Sequence, residues 1–216
     1  MAPPVGLTGT CGESLEASRP FQLALSVGGL QTQLIFNGVE QRLDELSAAV
    51  AFTYRFSQWS VQASVGMVIG GSLDGPLGNY RLEPGILSSV SLGYTFLNGA
   101  GAVPYVASSL TAGVAAAPTY NEANTNDRPG FTALDFRLAA VIGWRLFDFW
   151  LPYAGAAVFG GPVFFAPQGQ SLTGGDQHHF RLSLGSSFTL PAHLEAFIEI
   201  GFLGEQNVLI GLGYAF

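Results

Sequence analysis

From Asn207 to Phe216 the chain alternates with period two. Val208, Ile210, Leu212, Tyr214 and Phe216 share one parity, and Asn207, Gly211, Gly213 and Ala215 share the other. Successive side chains of a strand point to opposite faces, so one face is apolar and the other small or polar. The stretch is long enough to cross a bilayer as a tilted strand, which takes roughly 9–11 residues. Hydrophobic residues make up 48% of the chain and charged ones 11%, well under the roughly 25% charge of soluble domains. No apolar run reaches the roughly 18–20 residues that a membrane helix needs, because Gly, Ser, Gln or Arg interrupts each one. Apolar residues spread in alternation without helical spans predict an all-β, up-and-down antiparallel transmembrane β-barrel.

The same period recurs along the chain. It predicts strands at 20–28, 46–56, 59–69, 86–96, 103–117, 134–146, 149–164, 180–190, 194–202 and 207–216. The Ala-rich fifth and the doubly apolar seventh, with Pro152 and Pro162, do not fix their facing. Ten is an even number, as bacterial single-chain barrels have; an eight-stranded barrel is the alternative if the fifth and seventh strands are misread. The connections alternate long and short: 31–42, 57–58, 71–82, 97–102, 118–130, 147–148, 166–177, 191–192. Only 204–206 breaks the rhythm, being short on the long-loop side. Long outer loops and short periplasmic turns place both termini in the periplasm.

Tyr54, Phe56, Trp59, Tyr94, Phe96, Trp144 and Trp150, with Phe188, Tyr214 and Phe216, all fall near the short turns or the C-terminal end. Aromatic rings favour the water–hydrocarbon boundary, so these residues form an expected periplasmic girdle. The final segment resembles the closing strand of Gram-negative outer-membrane β-barrels. On that resemblance, Val208, Ile210, Leu212, Tyr214 and Phe216 look like the signal read by the barrel-assembly machinery, and outer-membrane lipid and lipopolysaccharide are the surroundings.

Residues 1–19 are rich in Pro, Gly, Ser and Thr without periodicity and read as a flexible periplasmic leader, with the barrel over 20–216. Met1-Ala2-Pro3-Pro4 shows neither a basic nor an apolar signal region, so the numbering reads as that of a mature chain. Cys11, in Leu7-Thr8-Gly9-Thr10-Cys11, makes a poor lipidation site and reads as a lone thiol. All eight basic residues are Arg and the net charge is −7, which argues against nucleic acid as a partner.

If the apolar parity faces lipid, the other fills the lumen with Arg55, Asp135, Arg137, Arg145, Arg181, Glu195 and Glu199, and Glu45, Arg81 and Glu83 fall near the outer rim. Charges in a narrow interior must pair, because an isolated buried charge costs several kcal/mol. Arg181 is expected to meet Glu195 or Glu199, and Arg137 to meet Asp135 or a neighbouring strand. The lumen is therefore expected to be plugged, with a narrow passive pore for ions or small solutes as the alternative.

An outer-membrane lipid-modifying hydrolase is the second alternative. Lipid A deacylase barrels are similar in size and carry His-x-Ser with a later Glu, but Arg181 stands two residues before Ser183 where that His belongs. His178 and His179 stand beside Asp176, yet adjacent strand residues face opposite ways, so one at most could serve a lumenal site. No cofactor or metal-ligand spacing is present, and the chain is read as a non-enzyme. Loops 71–82 and 118–130, together with the leader, are the expected contact points for envelope protein partners.

Overall fold

The computed structural model describes residues 19–147 and 149–216. Residues 1–18, hence nearly all of the expected leader and Cys11, lie outside them. The chain forms β1 (Phe21–Phe36), β2 (Val39–Phe56), β3 (Trp59–Asp74), β4 (Tyr80–Leu82), β5 (Gly85–Asn98), β6 (Tyr105–Asn121), β7 (Gly130–Gly143), β8 (Trp150–Gly160), β9 (Val163–Phe165), β10 (Leu172–Asp176), β11 (Phe180–Leu190), β12 (Leu194–Phe202) and β13 (Gln206–Ala215).

A ring of ten antiparallel strands closes the barrel, in the order β1, β2, β3, β5, β6, β7, β8, β11, β12, β13. Closure runs from Gln22 opposite Ala215 to Gln31 opposite Gln206, so the C-terminal strand pairs with both β12 and β1. Ten strands is the number the alternation predicts. The two open facings resolve as well: Ala107, Ala115 and Ala117 on β6, and Leu151, Tyr153 and Phe159 on β8, point inward and are buried.

The outer wall is apolar over a belt of limited height. On β2 it runs from Leu46 to Phe56, matching the roughly 9–11 residues of a tilted spanning strand. On β13 the apolar parity from Val208 to Phe216 faces outward. One rim of this belt is lined with aromatic rings. Phe21 stacks on Tyr54 and Phe216 at 5.1 and 5.9 Å, Trp59 meets Tyr94 edge-on at 4.8 Å, and Trp150 lies parallel to Phe188 at 6.4 Å. Tyr54, Phe56, Trp59, Phe96 and Trp144 all present exposed rings to the exterior.

Above the belt the polarity inverts. Gln33, Glu40, Arg42 and Arg81 face out, while Leu34, Phe36, Leu43, Leu73, Tyr80, Phe131 and Phe165 are buried inside. That is the pattern of a soluble barrel, and it corrects the expectation that 31–42 is a long loop. β1 and β2 instead continue to a two-residue hairpin at Asn37-Gly38, whose φ values of 50° and 82° are those Asn-Gly readily adopts. Segments 71–82 and 118–130 are likewise shortened, by β3 reaching Asp74, by β4, and by β6 reaching Asn121.

In this upper zone the ring also narrows. β4 pairs with β3 and β6, β9 with β7 and β10, and β10 with β1 at Leu34–Phe36. The upper circuit is thus β1, β2, β3, β4, β6, β7, β9, β10, which is eight strands. Here β10 alone occupies the arc that β11, β12 and β13 fill below. The short connection after β12 follows directly, since the hairpin of β12 and β13 ends underneath β10 and has no room for a longer loop.

Candidate functional site: the lumen

Inward parity builds a lumen in three storeys. At the top an apolar plug packs Phe165 against Phe36, Tyr80 and Phe131, with centroids 5.9, 4.9 and 6.3 Å apart. Leu34, Leu43 and Leu73 complete it, each with no exposed surface. Asp127 ties the cover over this plug. Its carboxylate accepts the Tyr80 hydroxyl at 3.0 Å, the Asn121 amide at 3.5 Å and the Gln168 backbone N–H at 3.0 Å, so one side chain fixes segment 122–129 and the turn at Pro167–Gly169. The 118–130 segment, expected as a contact point for envelope partners, is fastened over the barrel mouth, with Glu122–Asn126 as its exposed tip.

The middle storey is ionic. Arg137 on β7 donates Nη1 and Nη2 to the two oxygens of Glu205 at 3.0 and 2.6 Å, and its Nε to Asp135 at 3.4 Å. Arg181 on β11 donates Nη1 to the same Glu205 at 2.8 Å and Nη2 to Glu199 at 3.1 Å. The Tyr153 hydroxyl donates to the other Glu199 oxygen at 3.0 Å. Tyr153 can lie across the lumen because its neighbour on β11 is Gly185, where a Cβ would stand 2.2 Å from the ring. The Arg137 guanidinium also sits 4.9 Å from the Phe159 ring centre, a cation–π contact. The Arg137 fork engages both oxygens of the buried Glu205 carboxylate, the bidentate geometry at which Arg pairs are strongest.

Below, Arg55 donates to the Gln22 side-chain Oε1 at 2.6 Å, the Gln22 amide Nε2 donates to Glu195 at 2.8 Å, and Ser187 donates to Glu195 at 2.5 Å. Gln62 with Thr53, and Ser64 with Ser89, add neutral cross-strand bonds on the far wall.

The expected residues are therefore brought together in part. Arg137 meets Asp135, and Arg181 meets Glu199, both as expected, whereas Glu195 lies one storey down with Gln22 and Ser187. Arg145 lies two residues past the end of β7 at Gly143, half-buried and on the same parity as the inward-facing Val141 and Gly143. The central acceptor, Glu205, escapes the sequence reading because it sits in a turn. The one signal for it is the short 204–206 connection on the long-loop side. Leu203 and Gly204 take φ values of 68° and 73°, folding the turn so that Glu205 enters the barrel. At the outer end of β11, His178 and His179 are exposed, with His179 Nδ1 3.1 Å from the Phe159 carbonyl oxygen. Among the described residues no group of three or more His, Cys, Asp or Glu forms a metal site.

No family model matches the sequence, and no curated protein matches it. Among solved structures, the outer-membrane protease OmpT from Escherichia coli is similar, with a TM-score of 0.57 and 9% identity over 91% of this chain and 96% of that one. The translocator domain of the autotransporter NalP from Neisseria meningitidis is similar too, with a TM-score of 0.56 and 14% identity over 94% and 90% of the two chains. The fold and the filled lumen define this chain as an up-and-down β-barrel of the outer-membrane type. At these identities the likeness is one of fold alone, and protease and translocator are statements about those proteins.

Proposed function

We propose that this protein is an integral outer-membrane barrel with a closed lumen, serving as a structural or partner-binding component of the cell envelope. The observation that carries the reading is the fully buried apolar plug, from Leu34 to Phe165, standing directly above the ion-paired middle storey. An ion crossing it would have to shed its water among leucine and phenylalanine side chains, which costs far more than thermal energy. That argues against the passive-pore reading. The apolar belt with its aromatic rim supports residence in a bilayer. The short turns on the girdle side, and long strand extensions on the other, support termini in the periplasm and a C-terminal strand read by the assembly machinery.

On this reading, contacts with other envelope proteins fall to the exposed Glu122–Asn126 tip and to 75–79, or to the leader. Planar-bilayer recording of the purified protein tests closure: a flat baseline is expected, and steady unitary currents overturn the reading. Crosslinking in native membranes from positions 122–126 tests the partner-binding half, with a discrete adduct expected and lipid-only labelling counting against it.

A further inference from the structure

Resting on the membrane-resident reading, a second site lies on the outside of the wall. Gly70, Leu46, Gly29, Val208 and Ile200 form one lateral row across five neighbouring strands, each pair directly opposite in register. All five belong to the outward parity, and over them runs a groove of about 680 Å3, within the roughly 300–1,000 Å3 of ordinary ligand sites. Neither glycine is demanded by packing. A Cβ at Gly29 meets nothing within 4 Å, and one at Gly70 meets only the Leu82 carbonyl oxygen at 3.5 Å. Neither takes a positive φ. Gly70 flanks the bulge at which Leu46 faces Gly70 and Ser47 faces Val68; Gly29 serves no turn or close approach, and side chains missing at both positions leave the depression open.

The groove lies at the level where the wall changes polarity. Gln31 and Gln206, one step higher, belong both to the groove and to an adjoining polar pocket of about 200 Å3, whose further lining includes Thr32, Gln33, Arg42 and His178. This pocket sits where the ring narrows from ten strands to eight, beside the turn at Gly204. Thr32 is 2% exposed, and its hydroxyl has no hydrogen-bond partner. A buried polar atom left unpaired at the wall of a pocket indicates a missing polar neighbour. Two carboxylates line the groove: Asp44 already accepts from Gln31 and Arg42 at 2.5 and 3.0 Å, and Glu45 is buried on the inward parity of β2. The remaining chemistry is donor-rich: the outer N–H groups of Arg42, the His178 ring, the Gln33 and Gln206 amides and the Thr32 hydroxyl.

We propose that the groove and the pocket together bind one phosphate-bearing membrane lipid, with an acyl chain over Gly29 and Gly70 and the phosphate against Arg42, His178 and Thr32. Lipid tails are as apolar as the groove, so shape fit rather than a hydrophobic driving force holds the chain. Selectivity comes from the phosphate, which suits the planar guanidinium fork. The Arg42–Asp44 pair is exposed and weak, and the guanidinium can engage a second oxyanion without breaking it.

The test is native mass spectrometry of the full chain released from non-ionic detergent with phosphatidylglycerol, the diacylglycerol of matching chains, or glycerol phosphate. One phosphatidylglycerol per barrel is expected at concentrations where the other two are not retained. Gly29→Phe, which fills the floor, should weaken retention at least tenfold; Arg42→Gln should bring phosphatidylglycerol down to the diacylglycerol level. Val65→Phe, elsewhere on the outer wall, is the control and should leave retention unchanged. Equal retention in Gly29→Phe and the control, or no preference for the phosphate-bearing lipid, overturns the site. Insertion into liposomes is measured on the same samples. A chain that inserts yet shows no such lipid rejects the groove alone, and one that stays soluble without detergent rejects membrane residence as well.

Discussion

Glu205 receives both terminal nitrogens of Arg137, at 3.0 and 2.6 Å, from a turn between β12 and β13 rather than from a strand. Arg181 reaches the same carboxylate at 2.8 Å, so one turn residue clamps two arginines on strands lying on opposite sides of β8. Replacing Glu205 by Ala leaves both guanidinium groups in a dry interior with a partner missing, which costs about 3–5 kcal/mol. The closed-barrel band on semi-denaturing gels should then be lost at a markedly lower temperature than in the wild type. An unchanged transition would show that the clamp contributes nothing net.

Phe165 touches three rings in the apolar plug. Phe165→Ala should destabilise the barrel by about 3–5 kcal/mol through lost burial and the cavity left behind. It should not open a conducting path, because the Arg137–Glu205–Arg181 storey still fills the lumen below. Urea titration reads the first effect and planar-bilayer recording the second; unitary currents in this single variant would place the whole barrier in the plug.

Gly38 sits at φ 82° in the hairpin between β1 and β2. A β-branched residue is strained in that region, at a cost of order 1–3 kcal/mol. Gly38→Val is therefore expected to speed amide exchange in the upper parts of β1 and β2, above the belt, while the lower barrel keeps its protection. Uniform exchange in wild type and variant would mean that the turn adapts without strain.

The phenol of Tyr80, outside the membrane belt, is pushed above its ordinary value, first by burial and then by its bond to the Asp127 carboxylate. A raised value means the neutral phenol is the form the fold prefers. Its contribution is full below the unfolded value of about 10 and is lost as pH rises through the folded one. Proteolysis at Glu122–Asn126 should accordingly accelerate above that pH in the wild type. Tyr80→Phe should be cleaved faster at neutral pH and show no such alkaline step, and parallel profiles for the two proteins would remove Tyr80 from the latch.

The Asp176 carboxyl, inward-facing on β10 above the belt, is also pushed up by burial. The stability it contributes is present at acid pH and lost as pH rises through its folded value. Asp176→Asn should raise the unfolding temperature at pH 8 and leave it unchanged well below the ordinary carboxyl range. A variant that is less stable at pH 8 would mean that the ionised form is the one held.

Residues such as Leu25, Val50, Leu138 and Ile198 announced the wall, its strand number and its facing without any tertiary information. Hydrocarbon admits only closed backbone pairing and apolar side chains, so it stamps a strict period of two on every spanning strand. Aromatic residues marked one rim for the same reason. Above the belt that solvent is gone. Leu34, Phe36 and Leu43 turn inward while Gln33, Glu40 and Arg42 turn out, and the inverted alternation hid two strand extensions, although Asn37-Gly38 was a legible hairpin signal.

What the tertiary structure alone decided depends on which distant segments meet. β10 pairs with β1 and cuts the ring to eight strands; that in turn holds the β12–β13 turn beneath it and sends Glu205 into the lumen. Asp127 gathers Tyr80, Asn121 and Gln168 from three separate segments. Local alternation encodes the solvent on each face of a strand, but a turn residue has no parity, and its destination is fixed only by the long-range pairing that closes around it.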